Sequence, residues 1–444
     1  MNGEQGALAK FRESLAALGE RVTHVEMSDE ERVRRARAAF TSGLDARMAV
    51  DLETCIHCGM CAEACHFYEA TEDERYTPIF KLEPLRRHYR RELSPMRWLF
   101  RPFTRKLSAA ELAEWQPLVY DACTGCGRCD MMCPMGISLS PMINVMREGL
   151  AAAGLVPDEL QALDAEQRDH GTVFGVGEAE LRQRIASLEK DGVVIPLDKD
   201  RADVVVLTTA VEVLVFGSTL AATARIMQRL GRDWTLLTAA FEASNVGLLA
   251  GDRAARRQAT RKLVERVAAC GAGTVIVPET GHAYQALRWE GANDAGAALP
   301  FEVLALSEFL AREVEAGRLQ LAPVTNGASV TYHDPCRQGR QGGVFEEPRS
   351  VLKALGLELR ETASNRRENY CCGGGCGEYV IRRAAPLRQK AFEIKKHEFD
   401  STGADTVVTS CANCRVNLAI GADNSGWTRP VRGLAELVAE NLAD

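Results

Sequence analysis

The sequence lacks any apolar run long enough to cross a bilayer. Its most apolar long stretch, 204–224, is interrupted by Glu212, Gly217 and several Thr and Ser, and reads as strand, loop and helix. Met1 to Lys10 hold no apolar signal core, and no twin-Arg signal precedes an apolar stretch. The expected location is therefore the cytoplasm, with any membrane link made through a partner protein. An excess of positive charge is also missing. The formal net charge is −7, which speaks against a general nucleic-acid binder. No P-loop is present, and no GxGxxG follows a strand and opens a helix, so no bound nucleotide is expected.

What the chain does have is cysteine. Fifteen occur in 444 residues, and twelve sit in CxxC-type clusters or beside another cysteine. That grouping is metal-ligand usage in a reducing compartment, not a disulfide framework. The length calls for two to four domains. Residues 1–45 have helical spacing and read as an N-terminal arm. Residues 46–150 hold two tight cysteine clusters separated by a basic insert at 70–117. Residues 151–200 are charged, helical and free of cysteine, and read as a linker. From 201 onward short apolar strands alternate with amphipathic helices, the rhythm of an α/β layered fold with mostly parallel sheets. Strands are expected at 203–209, 235–238, 274–278, 329–333, 357–360 and 406–410. A helix is expected over 253–269, and the longest over 380–398. Gly271-Ala272-Gly273-Thr274-Val275-Ile276-Val277 aligns with Gly403-Ala404-Asp405-Thr406-Val407-Val408-Thr409, so 201–322 and 323–444 read as a duplicated domain. The expected fold class is a multidomain α+β chain, a helical two-cluster ferredoxin domain followed by two duplicated α/β domains.

The first cysteine motif is Cys55-x-x-Cys58-x-x-Cys61-x-x-x-Cys65, and the second is Cys123-x-x-Cys126-x-x-Cys129-x-x-x-Cys133-Pro134. Each is the run of bacterial two-cluster ferredoxins. Three thiolates on one tight loop reach three corners of a cubane, and the fourth points to the neighbouring cubane. The expected ligand sets are Cys55, Cys58, Cys61 and Cys133 for one 4Fe–4S cluster, and Cys65, Cys123, Cys126 and Cys129 for the other. Zinc also favours CxxC pairs, but the doubled eight-cysteine pattern fits it badly. His66 stands after Cys65 where Pro is usual, a departure that bears on the loop or the potential of one cluster.

A second set comprises Cys336, Cys371-Cys372-Gly373 and Cys411-x-x-Cys414. Cys336 and Cys411 each follow an expected strand, and in a parallel sheet such strand ends lie on one ligand-binding edge. Five thiolates exceed what one cubane needs. This spacing resembles the cysteine-rich CCG domain of heterodisulfide reductases, and the whole chain resembles their HdrD type. Glycolate oxidase and anaerobic glycerol-3-phosphate dehydrogenase iron–sulfur subunits are related. Tyr332-His333-Asp334-Pro335-Cys336, Gly339-Arg340-Gln341-Gly342-Gly343, Asn369-Tyr370-Cys371-Cys372-Gly373-Gly374-Gly375 and Gly281-His282-Ala283-Tyr284 look like the DsrK component of the membrane complex of dissimilatory sulfur metabolism. The resemblance implies a third, non-cubane 4Fe–4S cluster on Cys336, Cys371, Cys372, Cys411 and Cys414. It also implies a disulfide or trisulfide substrate, such as a sulfur-carrier protein, and a membrane cytochrome b-type or other quinone-linked redox partner. The alternative is a pure conduit from a flavin dehydrogenase to quinone.

The first half departs from this pattern. Glu212 or a neighbour stands where the second half has Cys336, Ser244-Asn245 near the CCG position, and Glu279 and His282 where CxxC would be. One C-terminal cluster is therefore expected, with Glu279 and His282 either lining its cleft or packed in a vestigial half. Cys376 adds a thiol in the glycine-rich loop, a candidate for substrate attack or persulfide formation. Between Lys81 and Lys106, nine Lys or Arg face two Glu, with Tyr89, Trp98, Phe100 and Phe103 interleaved. This segment reads as a docking face for a membrane partner or as a solvated helical surface.

Overall fold

The structure is a computed structural model and describes residues 2–20, 22–239, 241–325 and 327–443. Helices Asn2–Ala17 and Asp29–Gly43 open the chain. Ser28 caps the second by accepting from the Glu31 amide, and Asp29, Glu30 and Glu31 sit at the positive end of its dipole. Phe40 on this helix packs against helix Leu139–Ala152, where a methyl group at Gly149 would occupy the Phe40 ring. The N-terminal segment is thus a wall of the cysteine-bearing region.

Residues 151–200 are likewise packed. Helices Asp158–His170 and Glu178–Glu189 bury Leu160, Leu163, Leu181 and Ile185 in the main core, so this stretch is no free spacer.

Two four-stranded sheets follow. Strands β1 (Val204–Val206), β2 (Trp234–Leu236), β3 (Thr274–Val277) and β4 (Glu302–Ala305) lie in the order β2-β1-β3-β4. Strands β5 (Ser329–Tyr332), β6 (Glu358–Leu359), β7 (Thr406–Thr409) and β8 (Val431–Gly433) lie in the order β6-β5-β7-β8. Every pairing is parallel. The strands are short, and the central ones, β1, β3, β5 and β7, are almost wholly buried. Val206 pairs with Ile276 as Tyr332 pairs with Val408, so the shared register puts Glu279 at the place of Cys411 and His282 at that of Cys414.

Three sequence expectations shift. Strands β4 and β8 add to the expected set. Helix Ala385–Ser401 begins later than 380, because Pro386 sits in its first turn and 3-10 turns occupy Gly375–Val380 and Arg382–Ala384. It equals Arg253–Ala269 in length at 17 residues.

Candidate metal centres

The eight cysteines of the two ferredoxin-type motifs sort into two cavities. Cys55, Cys58, Cys61 and Cys133 line one, with Ile56, Ile79 and Met135. Cys65, Cys123, Cys126 and Cys129 line the other, with His66, Lys81 and Thr124. The fourth cysteine of each run thus faces the other run's loop. Gly59, Gly125 and Gly127 take left-handed φ values of 84°, 57° and 73°, which let the loops turn back on themselves. Burial, together with Cys55, Cys133 and Cys58, pushes the Cys61 thiol up to about 11. Ionising thiols crowded in this way requires a compensating cation.

The second set converges as well. Cys336, Cys371, Cys372, Cys411 and Cys414 are buried in one apolar cluster with Phe392, Phe399 and Leu418. Cys336 and Cys411 leave the ends of neighbouring strands β5 and β7, where the strand order reverses, the usual ligand crevice of such sheets. Asp334 sets the Cys336 turn. Arg349 grips its carboxylate at 2.7 and 2.9 Å, and the Arg366 amide donates to it at 2.7 Å. Asn369 donates to the Asp334 carbonyl and accepts from Lys395, both at 2.7 Å, and so fixes the Cys371–Cys372 loop beside that turn. The glycine run serves close approach: a methyl group at Gly374 would meet Asn417 at 2.9 Å, and one at Gly375 the Thr124 carbonyl at 2.7 Å.

Sulfur contacts join the two regions. Cys126 of the second ferredoxin-type loop packs against the buried cluster of Cys336, Cys371, Cys372, Cys411 and Cys414. Arg340 braces the junction, donating to the carbonyls of Cys126 at 2.8 Å, Arg367 at 2.6 Å and Asn369. Gln341 donates to the Gly125 carbonyl at 3.0 Å. Arg128 stacks over Tyr370 at 3.8 Å.

The residues present fit iron–sulfur clusters. All fifteen cysteines are free thiols. Lys81, Arg147 and Arg337 are buried, and among the described residues none pairs with a carboxylate. Lys81 donates to the Ala122 carbonyl and approaches the Cys65 sulfur at 3.6 Å. Arg147 donates only to carbonyls, those of Leu249, Cys376, Val119 and Cys123. Arg337 donates to Gln341 and to the Cys376 sulfur. Buried cations of this kind need an anion, which a thiolate-ligated cluster provides. His333 is buried with neither ring nitrogen hydrogen-bonded, yet lies within 4.8 Å of the Cys372 and Cys414 sulfurs. Burial holds it neutral. His66, standing where Pro is usual, is buried beside Cys126.

Sequence reasoning assigns none of these groups to the interior of a cluster site. Lys81 reads from sequence as part of a basic surface and is instead interior, while Arg86 and Arg87 are tied to Glu83 and Glu111. The only signal for His333 is its place between a strand end and Cys336.

The first half supplies the roof. The Glu279 carbonyl accepts from the Ala412 amide at 2.5 Å, directly after Cys411. His282 Nε2 accepts from the Cys376 amide at 2.8 Å, and its Nδ1 lies 3.2 Å from the Asn413 amide group. Accepting at Nε2 places the ring proton on Nδ1. Glu279 and His282 thus line the cysteine cleft. Glu212 is buried on Thr208 at 2.9 Å, and Asn245 caps helix Val246–Ala250. Cys376 sits in a left-handed turn at φ 52°, with Arg337 Nη2 donating to its sulfur at 2.6 Å. Burial raises this thiol, but Arg337, Arg147 and His282 outweigh it and bring it down to about 6. Cys270 packs in the core of the first sheet, apart from the site.

Comparisons with known proteins agree with this geometry. Residues 51–137 match the 4Fe-4S dicluster domain family, and residues 330–419 the cysteine-rich CCG domain family. The D component of the dihydromethanophenazine:CoB–CoM heterodisulfide reductase of Methanosarcina barkeri is 28% identical over 92% of this chain and 98% of its own. The Hdr-like menaquinol oxidoreductase iron–sulfur subunit 2 of Archaeoglobus fulgidus is 24% identical over 81% of this chain and 74% of its own. A hypothetical protein from Helicobacter pylori shares the fold, with a TM-score of 0.51 at 11% identity over 78% of this chain and 66% of its own. With its dicluster loops packed against a CCG site, the chain is similar over nearly its whole length to heterodisulfide-reductase-type iron–sulfur proteins of the D-subunit kind.

Proposed function

We propose that this chain passes electrons between a membrane quinone-linked partner and a disulfide or trisulfide substrate at the C-terminal cysteine site. One observation supports the reading: Cys126, from the second ferredoxin-type loop, packs against the buried cluster of Cys336, Cys371, Cys372, Cys411 and Cys414. Cys55, Cys58, Cys61 and Cys133 hold the outer cubane in this reading, and Cys65, Cys123, Cys126 and Cys129 the inner one. Cys336, Cys371, Cys372, Cys411 and Cys414 hold a non-cubane 4Fe–4S cluster. When bound, these clusters supply one-electron transfer and, at the last site, iron able to hold a thiolate sulfur. Cleaving a disulfide consumes two electrons and two protons and yields two thiols.

The chain's own residues prepare that step. Arg337 keeps the Cys376 sulfur charged, and His282, with its proton on Nδ1, holds the Cys376 backbone in place. Cys376 attacks the S–S bond, forms a mixed disulfide and releases the first thiolate. Two electrons and one proton then release the second thiol and restore the Cys376 thiolate, and the other proton goes to the first thiolate. The substrate class is a small protein with paired cysteines or a comparable low-molecular-weight disulfide.

The test starts from protein purified without oxygen. Parent chain should hold about twelve irons and Cys371→Ala/Cys372→Ala about eight. Reduced parent should be reoxidised by a disulfide-bearing carrier protein, with the visible absorbance returning, and the double variant should not. Equal iron in both proteins would remove the third cluster. Full iron without reoxidation by any disulfide, but with reoxidation by a quinone analogue, would leave the conduit from a flavin dehydrogenase to quinone as the function. The menaquinol oxidoreductase relative favours that second reading.

A further inference from the structure

Residues 95–106 form an exposed loop with one helical turn, Arg97–Phe100, beside the Cys55–Cys61 loop. Its base is tied to the helix that precedes Cys55, where Ser94 donates to Glu53 at 3.0 Å. The loop itself is braced. Arg91 Nη1 donates to the carbonyls of Arg101 at 2.6 Å and Thr104 at 2.7 Å, and the Thr104 hydroxyl to that of Phe100 at 2.8 Å.

On this held backbone Trp98 is 73% and Phe103 87% exposed, with Met96 and Leu99 beside them. Arg97, Arg101, Arg105 and Lys106 are exposed too, and none has an ion-pair partner among the described residues. No acidic residue occurs between Leu93 and Ala110, although the whole chain carries −7.

A braced turn that shows two aromatic rings to water gains nothing in solution. At a bilayer surface it gains twice. The rings settle at headgroup depth with their apolar bodies inward, and the cations meet lipid phosphates. Four unpaired cations spread around the rings give a diffuse field suited to a charged sheet, rather than a template of matched ion pairs.

We propose that the Arg97–Lys106 turn docks this chain directly onto an anionic phospholipid surface, with the outer cysteine cavity turned toward the membrane. Ile56, 65% exposed on the rim of that cavity, joins the same face. This inference is independent of what is reduced at the C-terminal site, since the disulfide assay needs no lipid.

The test is co-sedimentation of the full-length, anaerobically purified protein with vesicles of phosphatidylcholine alone or mixed with phosphatidylglycerol. Binding is expected only to the mixed vesicles and should fall as salt is raised. Trp98→Ser/Phe103→Ser should weaken it about tenfold, and Arg97→Gln/Arg101→Gln/Arg105→Gln/Lys106→Gln should do the same. Both variants should keep parent iron content and absorbance, since all six side chains project outward. Failure to bind mixed vesicles, or binding that ignores the variants, overturns the proposal. Binding that appears only after a membrane redox partner is reconstituted assigns the turn to that protein and overturns it equally.

Discussion

Lys81 is a residue whose chemistry its sequence neighbours conceal. It falls in a run of nine Lys or Arg yet ends inside the protein, 3.6 Å from the Cys65 sulfur and without an acidic partner among the described residues. A buried cation favours the more negative, reduced state of any cluster it touches. Lys81→Met should therefore lower the reduction potential of the inner cubane by on the order of 50–100 mV and leave the outer one unchanged. A redox titration followed by electron paramagnetic resonance reads both; equal shifts at the two centres would sink the idea. Buried carboxyls act in the opposite sense. Burial raises Glu212 from its usual 4.5 to about 8, with nearby Glu242 adding to the rise, and burial raises Glu242 to about 7. The folded chain keeps these protons where the unfolded chain has lost them. Stability is thus full below pH 4.5 and is lost as pH climbs to about 8, at about 1.4 kcal/mol per pH unit for each group. Glu212→Gln should flatten that decline in denaturant unfolding between pH 5 and 8; an unchanged slope would show that Glu212 ionises freely. The twelve grouped thiols are legible from spacing alone, because cluster ligands must sit on short loops. Lys81, Arg147, Arg337 and His333 are not, because a lone Lys, Arg or His has the same sequence signature inside as outside.

Among the elements, the glycine-rich loop after Cys372 has the least freedom. Gly375 passes so close to the Thr124 carbonyl that a methyl group would sit 2.7 Å from it. Gly375→Ala should push the CCG loop away from the second ferredoxin-type loop. Transfer of electrons to the C-terminal site should slow at least about tenfold in stopped-flow reduction, with the iron count unchanged. Parent-like kinetics would mean that the loops do not need this contact. The strand–helix rhythm from 201 onward and helix 253–269 are legible because continuous apolar runs and a polar helical face leave clear periodicities. Strands β4 and β8 are hidden for a physical reason. They are edge strands of four and three residues, and the half-exposed Val431-Arg432 pair of β8 carries little pattern. The helix start at 385 is invisible locally because the Gly375–Ala384 turns are fixed by tertiary contact. Arg147, for instance, donates to the Cys376 carbonyl at 2.9 Å.

At the scale of the whole molecule, three regions meet at one side chain. Arg147, on a helix of the cysteine-bearing region, holds the carbonyls of Cys123, of Leu249 in the first α/β half, and of Cys376 in the second. The first half has no cysteine at the ligand positions but keeps its place, since it roofs the second half's site through Glu279 and His282. The shared register makes its missing ligands visible in sequence; its role as a lid depends on how the two sheets face each other, which no local pattern records.

Cys58, in the outer cavity, is open to solvent, the other seven ferredoxin-type thiols are half-buried, and the five of the C-terminal set are interior. This gradient decides how the protein fails in air. Oxygen reaches the outermost centre first, and its loss cuts the other centres from the supply of electrons while the innermost chemistry is still intact. Damage would begin as disconnection, sparing the part of the molecule that is hardest to rebuild.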